Sequence, residues 1–288
     1  MNYESTNVTA NRKYKDTMFR MIFKDKKELL SLYNAVNGSN HQNEEDLQIV
    51  TLENAIYMNM KNDLAFLIDF HLYLYEHQST YNPNIPLRNL FYAAREYQKL
   101  TDGQSLYSST MIHIPAPKFI VFYNGMKRQP EMTLLKLSDS YLTDEVDPQL
   151  ELKVTMLNIN FGNNRRILDT CPTLREYMLY IEQIRKLLNL PGMSLESAVE
   201  HAVTECIKNN ILADFLRQNR AEAISMSIFE FDEELFRKTE YNFAKKEGIE
   251  TGINLVNTLL SNGRADDIPK VVQDPQYRER LLNEYNLL

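Results

Sequence analysis

The stretch from Asn62 to Gln78 reads Asn-Asp-Leu-Ala-Phe-Leu-Ile-Asp-Phe-His-Leu-Tyr-Leu-Tyr-Glu-His-Gln, and it constrains the fold more than any other part of the chain. Two runs rich in Leu, Ile, Phe and Tyr flank Asp69-Phe70, and such residues suit a pleated, half-buried surface. With Asp69-Phe70 as a two-residue turn, Ile68 stands opposite His71 and Asp63 opposite Glu76. Opposed residues of an antiparallel pair point to the same side, with Cβ atoms about 5 Å apart. Gln78 lies two residues beyond Glu76 and shares that side, whereas His77 points away from it. Leu72 and Leu74 supply an apolar floor. The spacing therefore predicts a hairpin presenting two carboxylates and an amide side by side.

Facing carboxylates repel each other. Either one of them holds a proton or a cation lies between them. Mg²⁺ suits such a place, being typically held by one or two carboxylates together with substrate phosphate. The other reading is a solvent-facing polar stripe on an edge hairpin. A register slip of one residue would carry every side chain to the opposite face.

Composition narrows the function classes. The net charge of −7 over 288 residues argues against a protein that coats nucleic acid with a broad basic surface. It leaves room for an enzyme that meets phosphate in one local cleft. No apolar run approaches a membrane span. The first twelve residues are polar, without the apolar core of a secretory signal, and read as a flexible tail. Cys171 and Cys206 are too few for a disulfide framework and fit buried thiols in a reducing cytoplasm. The five histidines show no zinc-ligand spacing.

Along the chain, Lys13 to Val36 has helical periodicity, with Asp16 placed to cap its start. Ile56 to Met58 is the expected first strand, ahead of the hairpin. Pro83 and Pro86 turn the chain into a helix over Leu87–Leu100, with Leu87, Leu90, Phe91, Ala94 and Tyr97 on one side and Arg88 near its start. Lys118–Tyr123 is continuously apolar, as a central strand covered on both faces would be, and Asn124-Gly125 closes it. Residues 126–149 read as an irregular charged insertion, and Leu150–Ile159 as one more strand. Helices follow. Leu174, Tyr177, Ile181, Ile184 and Leu188 mark one. Ala198, Val199, Ala202, Val203, Cys206 and Ile207 mark the next, which Ser194 is placed to cap. This order implies an α/β core over residues 13–190 and a helical C-terminal region over 191–288.

Several of these segments resemble the bacterial recombination-promoting nuclease (Rpn) and putative transposase family, within the PD-(D/E)XK nuclease superfamily. The resemblance rests on Asn62-Asp63, on Tyr73 through Asn84, and on Pro86-Leu87-Arg88. It continues in Lys118 through Gly125, Ala198 through Ile207, and Ile211 through Leu216. It implies a restriction-endonuclease-like core, a central mixed sheet flanked by helices, and a metal-dependent DNA endonuclease. Asp63 matches the acid at the start of the superfamily's second strand, and Glu76 the acid of its (D/E)XK element. Gln78 falls where lysine is common. The backbone carbonyl of His77 matches a metal-binding position, and Asp16 an acidic position that can complete the metal shell, unless it only caps its helix. The implied cofactor is Mg²⁺ or Ca²⁺ and the implied partner DNA. Arg88 either contacts phosphate or is a surface residue. A homodimer would give the two sites that cutting both strands needs. A retired nuclease fold that binds DNA or a protein partner is the alternative.

Overall fold

A computed structural model describes residues 18–50, 63–285 and 287, with side chains outside 233–244. The expected tail of residues 1–12, Asp16 and the strand expected at Ile56–Met58 lie outside the described residues. The chain divides into two compact units, Met1–Glu230 and Phe231–Leu288. Among the described residues no helix is long and apolar enough to cross a membrane.

The first unit is mixed α/β. The helix expected over Lys13–Val36 is two helices in its described part, α1 (Met18–Phe23) and α2 (Lys26–Asn37). Asp25 breaks them, because its side chain accepts the backbone N–H groups of Lys27 and Glu28 and so caps α2. Gly38 ends α2 at φ 68°, a left-handed position that favours glycine. A two-residue β1 (Gln48–Ile49) follows, and then β2 (Leu64–Ile68) and β3 (His71–Gln78). Helix α3 (Ile85–Leu100) crosses over to β4 (Ala116–Tyr123). Strands β5 (Met132–Lys136) and β6 (Lys153–Asn158) complete a six-stranded sheet of the described residues, in the order β1-β2-β3-β4-β6-β5. The parallel pairs β3–β4 and β4–β6 lie in the middle, with antiparallel pairs on both flanks.

The β2–β3 hairpin has the register read from the sequence, from Ile68 opposite His71 to Leu64 opposite Tyr75. Asp69 and Phe70 both have positive φ, 48° and 59°, as a type I′ turn requires. One face carries Ala65, Leu67, Leu72 and Leu74 into a core with Ile85, Tyr92, Val121 and Tyr123. The other carries Phe66, Tyr73 and Tyr75, which with Phe122 of β4 meet Tyr33 and Phe19 in a chain of ring contacts. Both faces of β3 are therefore covered, and β4 is the buried central strand its composition implies.

Two further expectations and one alternative reading need correction. β5 lies inside the stretch read as an irregular insertion, and it is an edge strand with Met132 and Leu134 exposed. Helix α3 begins at Ile85 and buries Ile85, Asn89, Tyr92, Ala93 and Glu96 instead of the Leu87–Phe91–Ala94 side. Leu87 and Phe91 are 40% and 41% exposed. The hairpin is not at an edge, since β3 lies between β2 and β4.

Helices α4 (Arg165–Thr170), α5 (Pro172–Leu188), α6 (Leu195–Lys208) and α7 (Ala213–Gln218) follow the sheet. The expected faces of α5 and α6 are buried, and Ser194 Oγ caps α6 by accepting the Ser197 N–H. Both cysteines are free and buried. Helix α8 spans Arg220–Ser261. In the second unit Leu255 and Leu259 of α8 form a small core with Val271 of α9 (Ile268–Gln273) and Leu281 of α10 (Pro275–Glu284).

The carboxyl ends of the parallel strands are pinned together. Arg185 donates from Nη2 to the Asn124 carbonyl at 2.5 Å and from Nη1 to Asn160 Oδ1 at 3.1 Å. Asn160 Nδ2 donates to the Gly125 carbonyl at 3.1 Å. A Cβ on Gly125 would lie 2.1 Å from the Ser79 carbonyl oxygen, so glycine is needed here for close backbone approach. Gly125→Ala is accordingly expected to destabilise the fold by about 1–3 kcal/mol, the usual cost of overpacking. A urea titration unchanged from wild type would contradict that contact.

Candidate functional site

The carboxyl end of β3 holds the polar groups. Extending the β2–β3 register one step places Asp63 opposite Glu76, both on the side of Leu72 and Leu74. Asp63 Oδ2 accepts the His77 backbone N–H at 2.6 Å, which ties the start of β2 to the end of β3. On the other edge of β3 the Gln78 carbonyl accepts the Asn124 N–H at 3.0 Å. Alternation along a strand therefore turns both the N–H and the carbonyl of His77 toward the Asp63 side. Glu76 is 3% exposed and Gln78 9%. That burial removes the reading of a solvent-facing polar stripe.

The cation that meets Glu76 comes from the protein. Arg88 Nη2, on the first turn of α3, donates to Glu76 Oε2 at 3.2 Å and to the Tyr92 hydroxyl at 3.0 Å. Glu76 Oε1 and Gln78 Oε1 are buried without a hydrogen-bond partner among the described residues. Burial pushes the Glu76 carboxyl up to about 8, the Asp63 charge pushes the same way, and the Arg88 charge opposes both. Burial, followed by the Glu76 charge, pushes the Tyr92 hydroxyl up to about 12.

The His77 ring lies on the opposite face, as expected. It stacks on Phe19 at 5.1 Å between ring centres, and its Nε2 is 3.1 Å from the Tyr177 hydroxyl. Burial, then the Arg185 charge, lowers its pKa to about 3, so the imidazole is neutral at physiological pH. The ring fixes β3 against α5 and stands apart from the carboxylates.

Of the residues picked from sequence, Asp63, Glu76, Gln78, Arg88 and the His77 backbone converge on one strand end. Asp16 lies outside the described residues. Sequence reasoning missed two neighbours on α3. Tyr92, one helical turn after Arg88, shares its guanidinium, and the spacing of four was the available signal. Asn89 is 1% exposed, and neither its amide oxygen nor its amide nitrogen has a hydrogen-bond partner among the described residues. Nothing in its sequence context announced that.

Chemically, the strand end combines two carboxylates with neutral oxygens: the Gln78 amide and the His77 carbonyl. An all-oxygen set suits a hard divalent cation such as Mg²⁺ or Ca²⁺. The unpartnered Oε1 of Glu76 fits that use, since a buried acceptor left unbonded is costly, and the unpartnered Oε1 of Gln78 is open to a water. No protein-family model, no curated protein and no solved structure matches the chain.

The raised carboxyl gives a pH signature with a definite sign. Burial in the folded chain raises the Glu76 carboxyl from its ordinary value of 4.5 to about 8. The folded state therefore binds its proton more tightly. The resulting stabilisation is complete below pH ~4.5 and declines as pH rises toward ~8. The urea midpoint of the wild type is expected to fall between pH 5 and pH 8.5, and that of Glu76→Gln to fall much less. Parallel pH profiles would show that Glu76 is not the titrating group.

Proposed function

We propose that the chain is a metal-dependent DNA endonuclease with a PD-(D/E)XK-type core, similar to the Rpn recombination-promoting nucleases, in the setting of recombination, mobile elements or defence. One observation carries the reading. Glu76, buried and with one oxygen unpartnered, shares a strand face with Asp63 and Gln78 at the carboxyl end of a central parallel strand. Ligands of open α/β sheets characteristically bind outside the carboxyl ends of strands. The mixed sheet, with an antiparallel hairpin leading into parallel β3, β4 and β6, accords with such a core.

Asp63, Glu76 and the His77 carbonyl are the groups that would hold the cation, with Asp16 a further candidate. When bound, Mg²⁺ or Ca²⁺ supplies Lewis acidity at the scissile phosphate and lowers the pKa of a bound water. The chain's own contribution is placement. The Asp63–His77 hydrogen bond fixes one carboxylate against β3, and burial fixes the other. Gln78 orients an attacking water through its amide, but carries no charge and cannot act as a base. Arg88, on the first turn of α3, is the group that would meet phosphate oxygens.

Gln78, standing where lysine is common, favours a second reading: a nuclease fold without cutting activity that binds DNA or a protein partner. Plasmid incubation with Mg²⁺, Mn²⁺ or Ca²⁺ separates the two. The endonuclease reading expects wild type to nick or linearise the plasmid and Asp63→Ala to lose at least about 100-fold in rate, a typical loss on removing a transition-state-stabilising group. Absence of cutting by wild type with all three metals would favour the binding module. Equal cutting by both proteins would move the active centre elsewhere.

A further inference from the structure

Arg88 engages one oxygen of the carboxylate that the proposed function assigns to a divalent cation. Its Nη2 bridges Glu76 Oε2 at 3.2 Å and the Tyr92 hydroxyl at 3.0 Å. The Arg88 side chain is 32% exposed, against 4% for that of Glu76. The arginine thus reaches a buried carboxylate from a half-buried position, and its long stem can withdraw toward solvent. Its guanidinium also lies 5.7 Å from the Tyr92 ring centre, so the pose is defined by three contacts. A buried carboxylate needs a countercharge, and removing one without replacement is strongly unfavourable. Two cations crowded onto one carboxylate repel each other.

We infer that Arg88 is a built-in counter-ion that competes with the divalent metal for Glu76, so that metal binding and withdrawal of the Arg88 guanidinium are one exchange. Without metal, the guanidinium occupies Glu76 Oε2 and keeps the strand end assembled. With metal, the displaced guanidinium stays tethered to the first turn of α3 and is free to meet an anionic oxygen of the substrate backbone. Tyr92 is a positioning residue: its hydroxyl holds the guanidinium in the competing pose. The exchange makes apparent metal affinity weak in the free protein and stronger when a phosphate gives Arg88 another partner, which is reciprocal coupling between metal and substrate.

This inference rests on the metal site of the proposed function, and the experiment separates the two. Mn²⁺ binding is measured by the electron paramagnetic resonance signal of free Mn²⁺, with no nucleic acid present. The proteins are wild type, Arg88→Gln, Arg88→Met, Tyr92→Phe and Asp63→Asn, each checked for a cooperative thermal transition. The counter-ion role expects Arg88→Gln and Arg88→Met to bind Mn²⁺ at least tenfold more tightly than wild type. Tyr92→Phe shifts the same way by a smaller factor, and Asp63→Asn loses the site. A merely structural Arg88 would weaken binding when removed. Unchanged or weaker Mn²⁺ affinity in both Arg88 variants, with an Asp63-dependent site retained in wild type, overturns the counter-ion role and leaves the metal reading standing. Absence of an Asp63-dependent Mn²⁺ site in wild type and in both Arg88 variants overturns both.

Discussion

One buried carboxylate sets the terms for the rest of the site. Glu76 sits at the end of a strand covered on both faces, in a core built from Leu72, Leu74, Val121 and Tyr123. A charge there is expensive unless something answers it. Arg88 answers from one side and Asp63 opposes from another, and the proton affinity of Glu76 records the balance. Such tension is difficult to justify on structural grounds alone, since an apolar residue of similar volume would fill the position at lower cost. Groups held in this way are characteristic of sites where charge is used.

The fold makes the tension local. The hairpin turn fixes the register, and the register sets Asp63 against Glu76. The parallel β3–β4 pairing runs through all eight residues of β3, so the strand end is held as firmly as its middle. On the far face the His77 ring is locked between Phe19 and Tyr177, and behind β4 the Arg185–Asn124–Asn160 network closes the strand ends. Neutral histidine on one face and paired charges on the other divide β3 into a structural side and a chemical side.

Much of this was legible because alternation is a strict code. Leu72, Leu74, Glu76 and Gln78 recur every second residue, and Asp69-Phe70 breaks the run where a turn fits, so face and register follow together. The continuous apolar run ending at Tyr123 marked the central strand for the same reason. Helix α3 misled because its buried side carries Asn89 and Glu96, whereas Leu87 and Phe91 face outward, so apolar periodicity pointed to the wrong side. Strand β5 was hidden because an edge strand need bury only one residue in two, and only Leu135 of its five is buried. The break at Asp25 was hidden because the apolar stripe continues across it. The Arg88–Tyr92–Glu76 arrangement depended on how α3 lies against β3, which spacing alone does not encode.

A crystal structure of the protein soaked in Mn²⁺ tests the central claim most directly. The account predicts an anomalous peak within about 2.0–2.6 Å of carboxylate oxygens of both Asp63 and Glu76, the range for hard divalent cations, with the Arg88 guanidinium withdrawn from Glu76. Asp63 and Glu76 projecting from different surfaces, or Mn²⁺ bound elsewhere while Arg88 stays on Glu76, would contradict it.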